Sequence, residues 1–191
     1  MRITGGRARG IVLKIPRRGT LRPATGFLRQ AVFSSLGARI VDARVLDLFA
    51  GTGAYGLEAL SRGAARATWV DANASAVDAI DANLAAVAKA MGVAKASSLG
   101  QALEGDVFSW RPLPGAEFDL VFVDPPYALL PQFGTQLLER AAAWLVPGEN
   151  SRLLLEAPGA YEPTPPLGWT LARRLGQGKR QPSSLIFARE I

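Results

Sequence analysis

Four carboxylates and one glycine turn hold most of the chemistry open to this 191-residue chain. The stretch from Val45 to Gly56 reads VLDLFAGTGAYG. An apolar run ends at Phe49, breaks at Ala50-Gly51-Thr52-Gly53, and resumes from Tyr55 with helical spacing. That pattern predicts strand, tight turn and helix. Such a turn brings backbone close to a bound ligand, and the helix start offers free N–H groups. Asp47 stands just before the turn, where it would repel a pyrophosphate and suit a cationic group. Asp71 and Asp106 follow later apolar runs, and Asp124-Pro125-Pro126-Tyr127 follows the run Phe118 to Val123. Open parallel sheets bind ligands beyond the carboxyl ends of their strands, so these acids are expected around one site.

Asp124-Pro125-Pro126-Tyr127 is the most specific of these features. The prolines remove backbone donors and leave acceptors, namely the Asp124 carboxylate and main-chain carbonyls. Acceptors beside an aromatic ring suit a planar substrate with an exposed NH2 group, with Tyr127 stacking on its face. A plain strand terminator is the bland alternative. The glycine turn also matches G-x-G-x-x-G over Gly51 to Gly56, with Asp71 at the distance that reads a ribose hydroxyl in nicotinamide enzymes. Asp47, the lack of a second domain for a hydride acceptor and the lack of histidine weigh against a dehydrogenase.

Composition narrows the chemistry further. The chain has no cysteine and no histidine. Disulfides, thiolate metal sites, cysteine nucleophiles and the commonest general base are excluded, and no metal is expected. The net charge of +6 is uneven. Residues 1–44 carry ten basic side chains against one acid, residues 45–170 seven against fourteen, and residues 171–191 five against one. Basic ends around an acidic centre point to a polyanionic partner, with nucleic acid foremost. Met1-Arg2-Ile3-Thr4-Gly5-Gly6 leads into basic residues rather than an apolar run, and no stretch is apolar enough for a membrane span. A cytoplasmic monomer without membrane contact is expected.

The elements that must position these residues read as an alternation. Residues 2–16 predict a short hairpin, 17–20 a loop, and Thr25 caps a helix through Leu36, with Arg29 on or near its polar face. Strands are expected at 45–49, 67–71, 101–106, 118–123, 152–156, 169–175 and 183–189. Helices are expected at 54–62, 73–91 and 133–145. Residues 92–100 read as either loop or helix. The result is an α/β fold with a mostly parallel sheet and an antiparallel C-terminal strand pair. Two parts are expected, a basic hairpin-and-helix extension over 1–40 and a sheet domain over 41–191.

Asp47-Leu48-Phe49-Ala50-Gly51-Thr52-Gly53 together with Asp124-Pro125-Pro126-Tyr127 resembles the S-adenosylmethionine-dependent amino-methyltransferases of class I, with their Rossmann-like sheet. The N-terminal Arg2-Ile3, Gly5-Gly6, Arg9-Gly10 and Leu21-Arg22-Pro23 to Arg29 resemble, more narrowly, the RsmD family, which methylates the exocyclic N2 of a guanine in 16S ribosomal RNA. The resemblance covers nearly the whole chain. It departs from the family pattern at Ala24, Gly26, Gln30, Asp71 and residues 176–183. It implies that Phe49, Ala50, Gly51, Thr52 and Gly53 cradle the methionine part of S-adenosylmethionine, with Asp47 near its ammonium. Asp71 would accept both ribose hydroxyls, and Asp106 with Val107 would sit at the adenine. Asp124 and the Pro125 carbonyl would hold the guanine NH2, with Pro126 shaping the turn and Tyr127 stacking the base. Arg7, Arg9, Arg17, Arg18, Arg22, Thr25 and Arg29 would bind phosphates of 16S rRNA or of an assembling small subunit. An adenine N6 methyltransferase acting on DNA or RNA and a non-catalytic RNA-binding protein on the same fold are the alternatives.

Overall fold

A computed structural model describes residues 1–16, 25–176, 178 and 181–190, with Thr25 described by its backbone alone. Among these, one seven-stranded sheet runs in the order β3-β2-β1-β4-β5-β7-β6. Its strands are β1 Arg44–Leu48, β2 Arg66–Asp71, β3 Gly100–Glu104, β4 Leu120–Val123, β5 Arg152–Pro158, β6 Trp169–Leu175 and β7 Pro182–Arg189. The first five pair in parallel, and β7 runs antiparallel to both β5 and β6. The helices are α1 Thr25–Leu36, α2 Ala54–Ser61, α3 Ala74–Ala90 and α4 Leu130–Ala143. No helix among the described residues is long and apolar enough to cross a membrane.

The inner strands β1, β2, β4, β5 and β7 are largely buried on both faces, so their side chains alternate between two apolar clusters. Val45, Trp69, Leu120, Phe122, Leu154 and Ile186 face a cluster shared with α1, α2 and α3. Leu46, Leu48, Val121, Val123, Leu153 and Leu155 face the cluster under α4. Crossovers are right-handed, so β1-β2-β3 growth in one direction puts α2 and α3 on one face, and the reversal to β4 puts α4 on the other. The place where the direction reverses, between β1 and β4, opens the crevice that holds the site.

The N-terminal hairpin forms as expected, with Arg2 bridging Val12 and Ile3 N–H donating to the Ile11 carbonyl at 2.9 Å. Ile3, Ala8, Leu13, Val32, Phe33 and Leu36 belong to the same apolar cluster as Val45 and Phe122. Several boundaries shift: β4 starts two residues late at Leu120 and β5 runs two residues further, to Pro158. The third strand is Gly100–Glu104, because its pairing with β2 ends at Asp71 opposite Glu104, which leaves Asp106 beyond the strand. Residues 96–98 form a short 3-10 turn, and the rest of that undecided stretch leads into β3. Helix α4 starts three residues earlier than the apolar spacing indicates, with Pro131 in its first turn, where a missing N–H costs nothing.

Candidate active site

The glycine turn is a left-handed corner built on a buried acid. Phe49 has φ 57°, the region that favours glycine, and Gly53 follows at φ 74° as the residue before α2. Gly53 N–H donates to the Ala50 carbonyl at 2.7 Å and closes the turn. Gly56 allows α2 to lie against β2, since a Cβ there would come within 2.4 Å of Trp69 Nε1. Trp69 Nε1 in turn donates to the Gly53 carbonyl at 3.2 Å. Asp47 points toward this helix start and is 1% exposed. Its Oδ2 accepts from Gly56 N–H at 3.0 Å. Burial pushes its carboxyl up to about 8, the nearby Asp71 charge adds to that, and the Gly56 hydrogen bond pulls the other way. A carboxyl held so far from its ordinary value is a site that a cation would relieve.

Asp71 braces the turn as well as facing it. Its Oδ2 accepts from Gly51 N–H at 2.8 Å and its Oδ1 from Asn73 N–H at 2.9 Å. Half-buried, it keeps accepting capacity on the side away from these bonds. Asp106 is exposed, and its Oδ1 accepts from Phe108 N–H at 3.0 Å. Val107 is buried, and its carbonyl accepts from Arg140 of α4 at 3.1 Å, which pins this loop to the far face. The rings of Phe49 and Phe108 meet edge-on at 6.2 Å and join the two loops. Thr52 is buried, and its hydroxyl reaches Met1 Sδ at 3.6 Å.

The Asp124 segment stands next to this turn because β4 pairs with β1. Asp124 N–H donates to the Leu48 carbonyl at 3.3 Å. Asp124 and Tyr127 are half-buried, Pro125 is buried and Pro126 is exposed. Leu129 N–H donates to the Pro126 carbonyl at 2.9 Å and starts a 3-10 turn over Tyr127–Leu129 that leads into α4. The structure thus gathers Asp47, Phe49, Ala50, Gly51, Thr52, Gly53, Asp71, Asp106, Val107 and Asp124 to Tyr127 along the carboxyl edge of β1, β2, β3 and β4.

The basic arm divides differently. Arg29 is a correction: it is 1% exposed and lies inside, not on a polar face. Its Nε sits 3.4 Å from Glu58 Oε2, and its Nη2 donates to the Arg2 carbonyl at 2.6 Å. Glu58 is fully buried on α2 and needs cations, so Arg29 turns inward to meet it and is not free for a phosphate. Arg7 and Arg9 are exposed, although Arg7 also donates to the Met91 carbonyl. Thr25 is the first residue of α1. Arg17, Arg18 and Arg22 lie outside the described residues.

Three polar anchors escape sequence reasoning. Glu58 accepts from Thr4 N–H at 2.8 Å, from Thr4 Oγ1 at 2.7 Å and from Arg62 at 2.8 Å, and so ties the arm to α2. Asn83 is buried on α3, accepts from Lys14 N–H at 2.7 Å, and donates to the Lys14 and Thr52 carbonyls at 3.0 Å each. Tyr55 donates to the buried Glu156 at 2.8 Å, and its ring stacks on Phe122 at 4.8 Å. Burial, Glu156 and Asp124 push the Tyr55 phenol well above its ordinary value. The available signal was a polar residue within an apolar stripe, as Asn83 stands between Ile80 and Leu84.

The family model described as conserved hypothetical protein 95 matches residues 1–183. Ribosomal RNA small subunit methyltransferase D of Escherichia coli K12 is 36% identical over 180 residues, 94% of this chain and 86% of that protein. Its counterpart of the same name in Haemophilus influenzae is 30% identical over 187 residues, 93% of this chain and 89% of the other. The solved structure of yhhF, a methyltransferase candidate of Escherichia coli, superposes with a TM-score of 0.79 at 34% identity, covering 100% of this chain and 98% of that one.

Proposed function

The chain belongs to the family of conserved hypothetical protein 95, the RsmD family, and from that premise we propose that it methylates the exocyclic N2 of a guanine in 16S ribosomal RNA, with S-adenosylmethionine as donor. One observation carries the reading: the Asp124–Tyr127 segment sits beside the glycine turn at the β1/β4 reversal, tied there by Asp124 N–H on the Leu48 carbonyl. The cradle fits the donor. A buried carboxyl raised to about 8 calls for a cation, and the donor's ammonium is one. Phe49 to Gly53 offer close backbone, Asp71 retains acceptors for ribose hydroxyls, and Asp106 with Val107 borders the place for adenine. When bound, S-adenosylmethionine supplies an electrophilic methyl on sulfur.

The chain's own work is positioning and charge. Guanine N2 is a weak nucleophile because its lone pair is delocalised into the ring. Asp124 and the Pro125 carbonyl accept hydrogen bonds from its two N–H groups, favour a pyramidal nitrogen and aim the lone pair along the line of transfer. Tyr127 covers the base. Once the methyl is on the nitrogen, the surplus N–H proton can pass to the Asp124 carboxylate beside it. The base must be unpaired or flipped to enter. Exposed Arg7 and Arg9, with Arg17, Arg18 and Arg22, attract the RNA backbone.

The test is transfer of labelled methyl from S-adenosylmethionine into 16S rRNA or assembling small subunits, with mass mapping of the modified nucleotide. Methyl on guanine N2 is expected, and Asp124→Ala should lower kcat by at least a hundredfold. A methyl on adenine N6, or an Asp124→Ala variant as active as wild type, would overturn the proposal.

A further inference from the structure

Glu156 is a carboxylate where the strand pattern calls for an apolar side chain. It lies near the end of β5, 2% exposed, directly after Leu153, Leu154 and Leu155. Alternation puts it on the Leu154 face of the sheet, the face toward α2. Tyr55, the second residue of α2, donates to its Oε2 at 2.8 Å. The buried Glu58 is met by two guanidiniums, from Arg29 and Arg62. Tyr55 instead meets Glu156 with a neutral hydroxyl, which holds the carboxylate without cancelling its charge. A buried carboxylate held in this way is weak support for a fold, and such groups gather where chemistry is done.

Its place is beside Asp124. Strands β4 and β5 run parallel, and Val123 pairs with Leu155. The next residues in that register are Asp124 and Glu156, on neighbouring strands about 5 Å apart. Asp124 keeps to the sheet there, with its N–H on the Leu48 carbonyl. It follows Phe122 by two residues, so both acids belong to the same face. The Tyr55 ring stacks on Phe122 at 4.8 Å, and its hydroxyl reaches across to β5. Burial first, then the charges of Glu156 and Asp124, push the Tyr55 phenol well above its ordinary value, against the pull of Arg29. The phenol therefore keeps its proton and donates it. The groups around Glu156 are thus Tyr55 from α2, Asp124 from β4 and Ser184 opposite on β7, with the Arg29 charge of α1 acting on Tyr55.

Methyl transfer to an amine moves charge toward these acids. As the N–C bond forms and the S–C bond breaks, the bonding pair stays with sulfur and the positive charge passes to nitrogen, until a proton leaves for Asp124. We infer that Glu156 is a positioning residue for methyl transfer, a second negative charge held by Tyr55 that favours the cationic amine from behind Asp124. The inference rests on the amine methyltransferase reading and adds a residue to it. One strand spacing and one hydrogen bond separate Glu156 from the nitrogen, about 8 Å. Unit charges at that distance, in an effective dielectric of about 20, change an equilibrium roughly 30-fold. A partial charge in the transition state brings the expected effect to about 5- to 30-fold.

The experiment measures methyl transfer to the rRNA substrate by Glu156→Gln and Tyr55→Phe. It also titrates each with S-adenosylhomocysteine and with sinefungin, which carries an ammonium where the donor carries its sulfonium methyl. Glu156→Gln keeps the size and the acceptor for Tyr55 and removes the charge. Its kcat should fall about 5- to 30-fold, with the RNA KM and the S-adenosylhomocysteine Kd within about twofold of wild type and no loss of Tm. Sinefungin should weaken relative to S-adenosylhomocysteine by a similar factor, a ratio that packing alone does not move. Tyr55→Phe leaves the carboxylate with one hydrogen bond fewer, so it takes a proton more readily, and the kcat deficit of this variant should widen from pH 8.5 to pH 6.0. A Glu156→Gln enzyme with kcat within about twofold of wild type, or one whose losses track Tm and leave the sinefungin ratio unchanged, would overturn the inference. The ratio is read without RNA, so a wild-type enzyme that methylates no RNA would overturn the reading beneath it while the ratio still decides for Glu156.

Discussion

If Asp47 receives the ammonium of the donor, affinity must depend on pH in a way the structure sets. The Asp47 carboxyl moves from an ordinary value of 3.8 to about 8 in the ligand-free protein, chiefly through burial. A raised carboxyl favours its proton in the folded state. The contribution of Asp47 to the stability of the free protein is therefore greatest at low pH and declines as pH rises from about 4 to about 8, by at most ~6 kcal/mol at 1.36 kcal/mol per pH unit. Binding an ammonium requires the ionised form, whose fraction grows tenfold per pH unit below 8. Between pH 6.0 and 7.5 the Kd for S-adenosylhomocysteine should tighten by up to about 25-fold. Calorimetry in phosphate and in Tris, whose ionisation enthalpies differ, should report release of about one proton per ligand at pH 6.5. Asp47→Asn should bind weakly, lose the pH slope, and melt higher than wild type at pH 7.5. A Kd constant within about twofold across this range, with no proton released, would refute the pairing of Asp47 with the ammonium.

The other predictions concern the anchors. Arg29→Ala leaves Glu58 buried with fewer cations and should cost about 3 kcal/mol, seen as a Tm drop of roughly 6–12 °C. The salt dependence of its RNA binding should match wild type, since Arg29 does not reach phosphate. Gly56→Ala drives a Cβ into Trp69 and should destabilise by roughly 1–3 kcal/mol in urea titration while weakening S-adenosylhomocysteine binding, because the start of α2 must shift. Asn83→Ala strips partners from both Lys14 and Thr52, and should cost about 1–3 kcal/mol and weaken S-adenosylhomocysteine and RNA together.

Much of this was legible in the chain because the signals are local. The β1 turn, the β4 tip and the closing β6–β7 pair each announce themselves within ten or so residues through periodicity and through glycine and proline. The buried ion pair was not legible. Arg29 and Glu58 lie 29 residues apart, Thr4 and Glu58 54, and Lys14 and Asn83 69. Each looks like a surface residue until its partner arrives. In helical projection an arginine beside an apolar stripe reads as solvated, and only a buried carboxylate on a neighbouring helix reverses that. Asp71 shows the same limit: its strand-end position was readable, but not its brace on Gly51.

These long-range anchors also change the meaning of the basic arm. Glu58 and Ser61 of α2 hold Thr4, Gly5 and Ala8, with Ser61 Oγ accepting from Ala8 N–H at 2.9 Å and donating to the Gly5 carbonyl at 2.6 Å. Asn83 holds Lys14 and, on the same side chain, the Thr52 carbonyl of the glycine turn. Arm and turn therefore share buried hydrogen bonds and one apolar cluster, and neither can loosen without exposing the other's partners. Whatever orders the turn thus helps to order the arm, so if RNA binds the arm and the donor binds the turn, any factor by which the donor changes RNA affinity is matched by an equal effect of RNA on the donor.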